Sequence, residues 1–217
     1  MLAFHRQGHN VIFLTQQEGY IINDFLRTNG ISVYSKVIPG RRNSLWYYLR
    51  HLIFFIRFCW RYKVDIVYSH LEPANFVASV AQYLIPAKTF LCRHHIDEGM
   101  LYKFDRHISY RMTYFLARKI IVVSNHAREY MIDCEGIPAR KIIHINLGYD
   151  FALYNPPVEQ KVQEIRSQLN ATVVLLSACR LTAFKRPDVA IHIVKKLTDQ
   201  GLDIKLILLG KGEMQDQ

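Results

Sequence analysis

The sequence predicts an α/β fold with doubly wound parallel sheets in two domains, on three observations. Short apolar runs rich in Val, Ile and Phe recur along the chain, longer segments with helical spacing separate them, and the pattern restarts after a turn-rich stretch near residue 150. Strands that alternate with helices in this way build βαβ units. Two such alternations imply two Rossmann-like units.

Residues 2–6 read as the last turn of a helix that Gly8 stops, and strands follow at 10–15, 31–36, 64–68, 87–92 and 119–123. Helices fall between them at 18–28, 45–60, 73–84, 101–117 and 126–135. A short strand at 141–145 leads through Asn146, Leu147, Gly148, Tyr149 and Asp150 into Asn155-Pro156-Pro157, which suits a domain boundary. The first domain is expected over 1–155 and the second over 156–217. In the second, 158–169 reads as a helix, 172–178 as a strand, 187–200 as a helix opened by Pro187, and 203–209 as another strand. The first domain would then lack its first strand and the second would be only begun, so the chain is expected to be a fragment of a two-domain protein.

The 217 residues are 50% hydrophobic and 21% charged, which excludes disorder and a fibrous repeat. A formal net charge of +10 points to an anionic partner: nucleic acid, an anionic membrane or a phosphorylated small molecule. Nucleic acid has only charge in its favour, since no recognisable binding motif accompanies it. Cys59, Cys92, Cys134 and Cys179 are scattered without paired spacing and read as reduced thiols of a cytoplasmic protein. The start of the chain has no apolar signal-peptide core.

In the 45–60 helix, Leu45, Leu49, Leu52, Ile53, Ile56 and Trp60 fall on one face, expected to be core. Arg50, Arg57 and Arg61 form a stripe with Tyr47, Phe54 and Phe58 beside it. Such a surface suits an anionic membrane, with Leu45, Arg50, Phe54, Arg57, Phe58 and Arg61 as contacts, or a helix buried on both flanks by neighbouring loops. Two arginines near the middle of a short apolar stretch exclude a transmembrane span.

Three segments carry candidate chemistry. The strand at 172–178 ends in Arg180 and Lys185, two cations at the end of a parallel strand, where α/β proteins place ligands. A guanidinium fork with a movable ammonium suits a diphosphate. Arg93-His94-His95-Ile96-Asp97-Glu98-Gly99 ends the 87–92 strand. His94 and His95 suit proton transfer or orientation, a metal, or plain pairing with a neighbouring carboxylate. Adjacent histidines seldom face one ion, and no helical His-x-x-x-His spacing supports them, so metal is the least favoured of the three roles. His70 and Glu72 end the 64–68 strand and would lie near them. Gly210-Lys211-Gly212-Glu213 reads as a glycine turn after a strand, open to a nucleotide.

In serial order these pieces resemble glycosyltransferase family four, the group-one nucleotide-sugar enzymes of the GT-B fold, with two facing Rossmann-like domains. Val64-Asp65-Ile66-Val67-Tyr68-Ser69-His70 is similar to the family's Asp-Ile-Val-x-x-His strand. The segments Ile120-Ile121-Val122-Val123-Ser124 and Asn146-Leu147-Gly148-Tyr149-Asp150 resemble its valine-serine and interdomain Asn-Gly-Val-Asp segments, and Arg180 with Lys185 matches its Arg-x-x-x-x-Lys.

The resemblance implies metal-free, retaining transfer of a sugar from a nucleotide diphosphate donor. The acceptor would be a cell-surface polysaccharide, lipopolysaccharide or glycolipid at the inner face of a membrane. Arg180 and Lys185 would hold the donor diphosphate, Gly148, Gly210, Gly212 and Glu213 would border the nucleotide sugar, and His94 or His95 would be the acceptor-domain histidine near the transferred sugar. His70 and Glu72 would line the acceptor side. Leu147 replaces the asparagine usual beside the glycine. The family's first glycine-rich loop and its Glu-x7-Glu segment have no counterpart in these residues, so the fragment by itself is expected to lack turnover. A non-catalytic binding protein or a nucleotide-sugar epimerase of the same fold are the alternatives.

Overall fold

A computed structural model describes residues 1–16, 18–39, 44–96, 107–149, 151 and 156–215. They form two compact units, Met1–Gly148 and Tyr149–Gln217.

In the first unit the chain runs α1 (Leu2–Arg6), β1 (Ile12–Thr15), α2 (Ile21–Thr28), β2 (Ser32–Ser35), α3 (Leu45–Arg61), β3 (Ile66–His70), α4 (Ala74–Ala81), β4 (Lys88–Arg93), α5 (His107–Leu116), β5 (Lys119–Val122), α6 (Asn125–Asp133) and β6 (Ile142–His144). All strand pairs are parallel, with β1 on β2 and a separate sheet in the order β3-β4-β5-β6. Among the described residues no strand bridges the two ladders.

The larger sheet carries the core. Leu91, Ile120 and Val122 on its inner strands are fully buried, and Ala78, Ala81, Tyr114, Ala127 and Met131 reach them from α4, α5 and α6. Each buried Leu or Ile of this kind contributes about 1.5–3 kcal/mol. The helices begin where the sequence supplies caps: the Ser44 hydroxyl accepts from Tyr47 N and the Ser124 hydroxyl from Ala127 N.

Two expectations are corrected. Strands β3 and β4 reach His70 and Arg93, so His70 is the last residue of a strand and not a loop residue. Helix α3 departs in part from the expected wheel: Leu52 and Ile56 pack against the core as expected, but Tyr47, His51, Phe58 and Cys59 are the buried residues, while Leu45, Leu49, Ile53 and Trp60 are exposed. Aromatic packing sets this departure. Phe58 sits edge-on to Tyr34 and tilted on Tyr62, Tyr47 lies tilted against His51 and donates to Gln16 Oε1, and a ring buried on both sides outweighs a leucine left in water. Phe58 is therefore core and not a membrane contact.

The second unit contains α7 (Glu159–Leu169), β7 (Val173–Ala178), α8 (Pro187–Asp199) and β8 (Ile204–Leu209), with β7 and β8 parallel in register Val173 to Ile204 through Ala178 to Leu209. Asp203 pins the start of the pair by accepting from Thr172 N and Thr172 Oγ1. Within the unit Val173, Val174, Leu175 and Leu176 remain exposed.

Candidate functional site

Strand register assembles the histidines. His70 lies opposite Cys92 across the β3–β4 ladder, and His94 follows Cys92 by two residues, the spacing that keeps side chains on one face. The result is a contact of 2.8 Å between His70 Nδ1 and His94 Nε2, with the rings 5.1 Å apart and nearly parallel. Burial, and secondarily the charge of His94, push the His70 pKa down to about 4. His70 is thus neutral near pH 7, and one imidazole donates a proton that the other accepts. Tyr68, two residues earlier on the same face, donates its hydroxyl to Cys92 Sγ at 3.3 Å.

Beneath this face Arg93 fixes the loop. Its side chain is fully buried and bidentate with Glu135, at 2.6 Å from Nη1 to Oε2 and 2.8 Å from Nη2 to Oε1. The same guanidinium donates through Nε to the carbonyl of His95 at 2.8 Å and through Nη2 to that of Ile96, with the rings of Tyr114 and Tyr130 beside it. A buried arginine therefore holds the backbone that presents both histidines. Asn75, also buried, donates to the carbonyl of Cys92 and ties α4 to the end of β4.

Of the acceptor-side residues inferred from the sequence, His70 and His94 meet. His95 is exposed and is held through its carbonyl. Glu72 accepts from Phe76 N, so its carboxylate serves the first turn of α4. Asp97, Glu98, Gly99 and Asp150 lie outside the described residues. Spacing gave no sign of Cys92 or Arg93: the first is found through cross-strand register, and the second through a partner 42 residues away.

In the second unit Arg180 and Lys185 are exposed on the loop after β7, where a single 3-10 turn spans Ala183–Lys185. Arg186, in the left-handed region, pairs with Asp188 and raises no free charge, whereas Lys185 lies over the Phe184 ring. The loop after β8 packs against this one. Leu181 N donates to Lys211 O and Met214 N to Leu181 O. A Cβ on Gly210 would stand 1.8 Å from Cys179 O, and one on Gly212 2.1 Å from Leu181 O. Both glycines are thus required by backbone proximity. Glu213 Oε1 accepts from Ala183 N at 3.5 Å, which brings its carboxylate to the lysine-bearing turn. Among the described residues a Cβ on Gly148 would meet nothing within 4 Å.

The exposed side of α3 forms an open groove of about 380 Å³ in which Lys36, Arg50 and Arg57 surround Val37, Ile53 and Phe54. Among the described residues no helix is long and apolar enough to cross a membrane.

Comparison with known proteins follows the same outline. The profile of Glycosyltransferase Family 4 matches residues 2–153. No curated protein matches the sequence. A glycosyltransferase from Rickettsia africae ESF-5 is similar in structure at 14% identity, with a TM-score of 0.71 over 96% of this chain and 62% of that one. Anabaena Alr3699/HepE in complex with UDP and glucose is similar at 18% identity, with a TM-score of 0.70 over 96% of this chain and 63% of that one. A protein from Listeria monocytogenes assigned as a UDP-N-acetylglucosamine 2-epimerase is similar at 14% identity and a TM-score of 0.55, over 95% and 57% of the two chains. The chain thus spans about 60% of the length of the first two. The architecture is that of the GT-B fold, and the chain belongs to glycosyltransferase family 4.

Proposed function

We propose that the protein carrying this chain is a retaining hexosyltransferase that moves a sugar from a nucleotide diphosphate sugar to a cell-surface polysaccharide, lipopolysaccharide or glycolipid acceptor. The match to the family over residues 2–153 carries the reading. The Anabaena neighbour's complex with UDP and glucose supports a nucleotide-sugar donor.

As the nucleotide leaves, negative charge grows on its phosphate oxygens, and exposed cations fixed beside it stabilise that transition state more than the ground state. Arg180 and Lys185 serve this purpose after β7, with Gly210, Gly212 and Glu213 bordering the nucleotide. The transfer needs no metal in this scheme, since the two cations neutralise the leaving group. His94, at the start of the loop that Arg93 holds through the carbonyls of His95 and Ile96, is the candidate for orienting or moving a proton, with His95 as the other candidate and His70 beside them. Glu72 contributes indirectly, by fixing the start of α4.

The groove beside α3, with Arg50 and Arg57 next to exposed Leu45, Trp46 and Ile53, supports peripheral contact with an anionic membrane at the cytoplasmic face. Phe54 adds an apolar wall and Arg61 a further cation at the end of the helix.

The test is release of nucleoside diphosphate from UDP-, GDP- and ADP-sugars, with and without a lipid-linked acceptor extract. Acceptor-dependent release that falls at least tenfold in Arg180→Ala and Lys185→Ala is expected. The likeness to the Listeria protein supports an epimerase as the second reading. Interconversion of the nucleotide sugar without release would establish it, and donor binding with neither outcome would make the protein a non-catalytic binder.

A further inference from the structure

The donor atoms of His70, Cys92 and His94 all lie within 4.8 Å of one another. They do so because of the ladder. His70 and Cys92 are cross-strand partners, and His94 continues the Cys92 face one step past the end of β4. Two imidazole nitrogens and one sulfur are the ligand types of borderline-soft zinc centres.

The geometry is close to what an ion needs. In a tetrahedral zinc site the nitrogens stand about 3.3 Å apart and the sulfur about 3.6 Å from each. The His70–His94 separation of 2.8 Å therefore has to open by about half an ångström, and the sulfur, within 4.8 Å of both nitrogens, has to close on them by up to about 1.2 Å, movements that side-chain rotations supply. Cys92 is almost wholly buried, whereas His70, although its ring is partly covered, keeps an exposed side that gives an ion a way in. The Tyr68 hydroxyl on Cys92 Sγ is the kind of hydrogen bond that orients a thiolate ligand. Adjacency of His94 and His95 argued against a metal in the sequence; that objection falls away, because the second imidazole comes from β3 and His95 is not needed.

We propose that His70, Cys92 and His94 bind a zinc ion at the carboxyl edge of β3 and β4. Three protein ligands leave a fourth position for water or a substrate oxygen; binding releases the thiol proton of Cys92 to solvent, and the imidazole that donates across the His70–His94 contact carries its proton on its other ring nitrogen instead. The site stands on these residues whether or not the protein transfers sugar. Its one consequence for that reaction, withdrawal of His94 by the bound ion, rests on the reading above.

The chelator-treated protein, titrated with Co²⁺, tests the proposal. One equivalent is expected to give a thiolate-to-cobalt charge-transfer band with tetrahedral visible bands, and zinc is expected to displace it. Cys92→Ser should abolish the charge-transfer band. His70→Gln, at an exposed position, should weaken zinc at least tenfold in competition with a chromophoric chelator while the far-ultraviolet circular dichroism stays native. Cys134→Ser should change neither. If Cys92→Ser fails to fold, His70→Gln decides. Absence of the band in the wild type, or zinc affinity unchanged in His70→Gln, overturns the proposal.

Discussion

Arg93 and Glu135 form a bidentate ion pair in which the arginine side chain is completely buried and the glutamate nearly so. The pair joins the end of β4 to the residues just beyond α6, and the arginine's remaining donors hold the carbonyls of His95 and Ile96. Arg93→Met leaves a buried carboxylate without its partner and two carbonyls without donors. A loss of about 3–5 kcal/mol is expected from urea unfolding of the variant against the wild type. Arg93→Lys keeps the charge but not the fork, and should lose less.

The strand-end glycines of the second unit separate sharply from Gly148. Alanine at Gly210 places a methyl carbon 1.8 Å from the backbone oxygen of Cys179, a residue whose N–H is bonded to Leu209 O on the neighbouring strand. Gly210→Ala is expected to cost about 3 kcal/mol or more and to expose the Leu181 and Met214 amides to hydrogen exchange. Gly148→Ala should stay within about 0.5 kcal/mol of the wild type in thermal melts.

Helix α3 offers a paired test of its two sides. Arg50→Glu and Arg57→Glu should each reduce binding to phosphatidylserine vesicles, by about 1 kcal/mol per cation removed and more on charge reversal, with the fold intact. Phe58→Glu, by contrast, buries a charge between Tyr34 and Tyr62 and should unfold the helix's surroundings. Vesicle co-sedimentation and circular dichroism distinguish the two effects.

Asp203 gives the second unit an acid limb. Hydrogen bonds from Thr172 hold its pKa below the ordinary carboxylate value, so the stabilisation is present above the unfolded pKa of about 3.9 and is lost as pH falls through the lower folded value. The wild type should therefore lose its advantage over Asp203→Asn below about pH 4, as read from melting temperatures across that range.

The alternation of elements is legible in the sequence because Ile120 and Leu91 belong to apolar runs that only a buried strand explains. Strand ends are less so. His70 and Arg93 are polar, yet backbone ladder bonds do not depend on the side chain, and the strands continue through both residues. Helix α3 is apolar on nearly every side, so periodicity does not choose its inner face; the ring of Tyr34, remote in sequence, does, together with that of Tyr62 just past the end of the helix. Cys92 and Arg93 are invisible to spacing for a related reason. One acquires its neighbours through a partner strand, and the other through Glu135.

The opposition of His70 and Cys92 also states which changes of length the trio tolerates. The chain between the two strands may gain or lose residues in its turns while the ladder keeps the two side chains opposed. A single deletion inside β3 is different in kind: it would put His70 where Ser69 stands and turn the imidazole to the other face. Among related chains, insertions are therefore expected between Leu71 and Ala87, and none between Ile66 and His70.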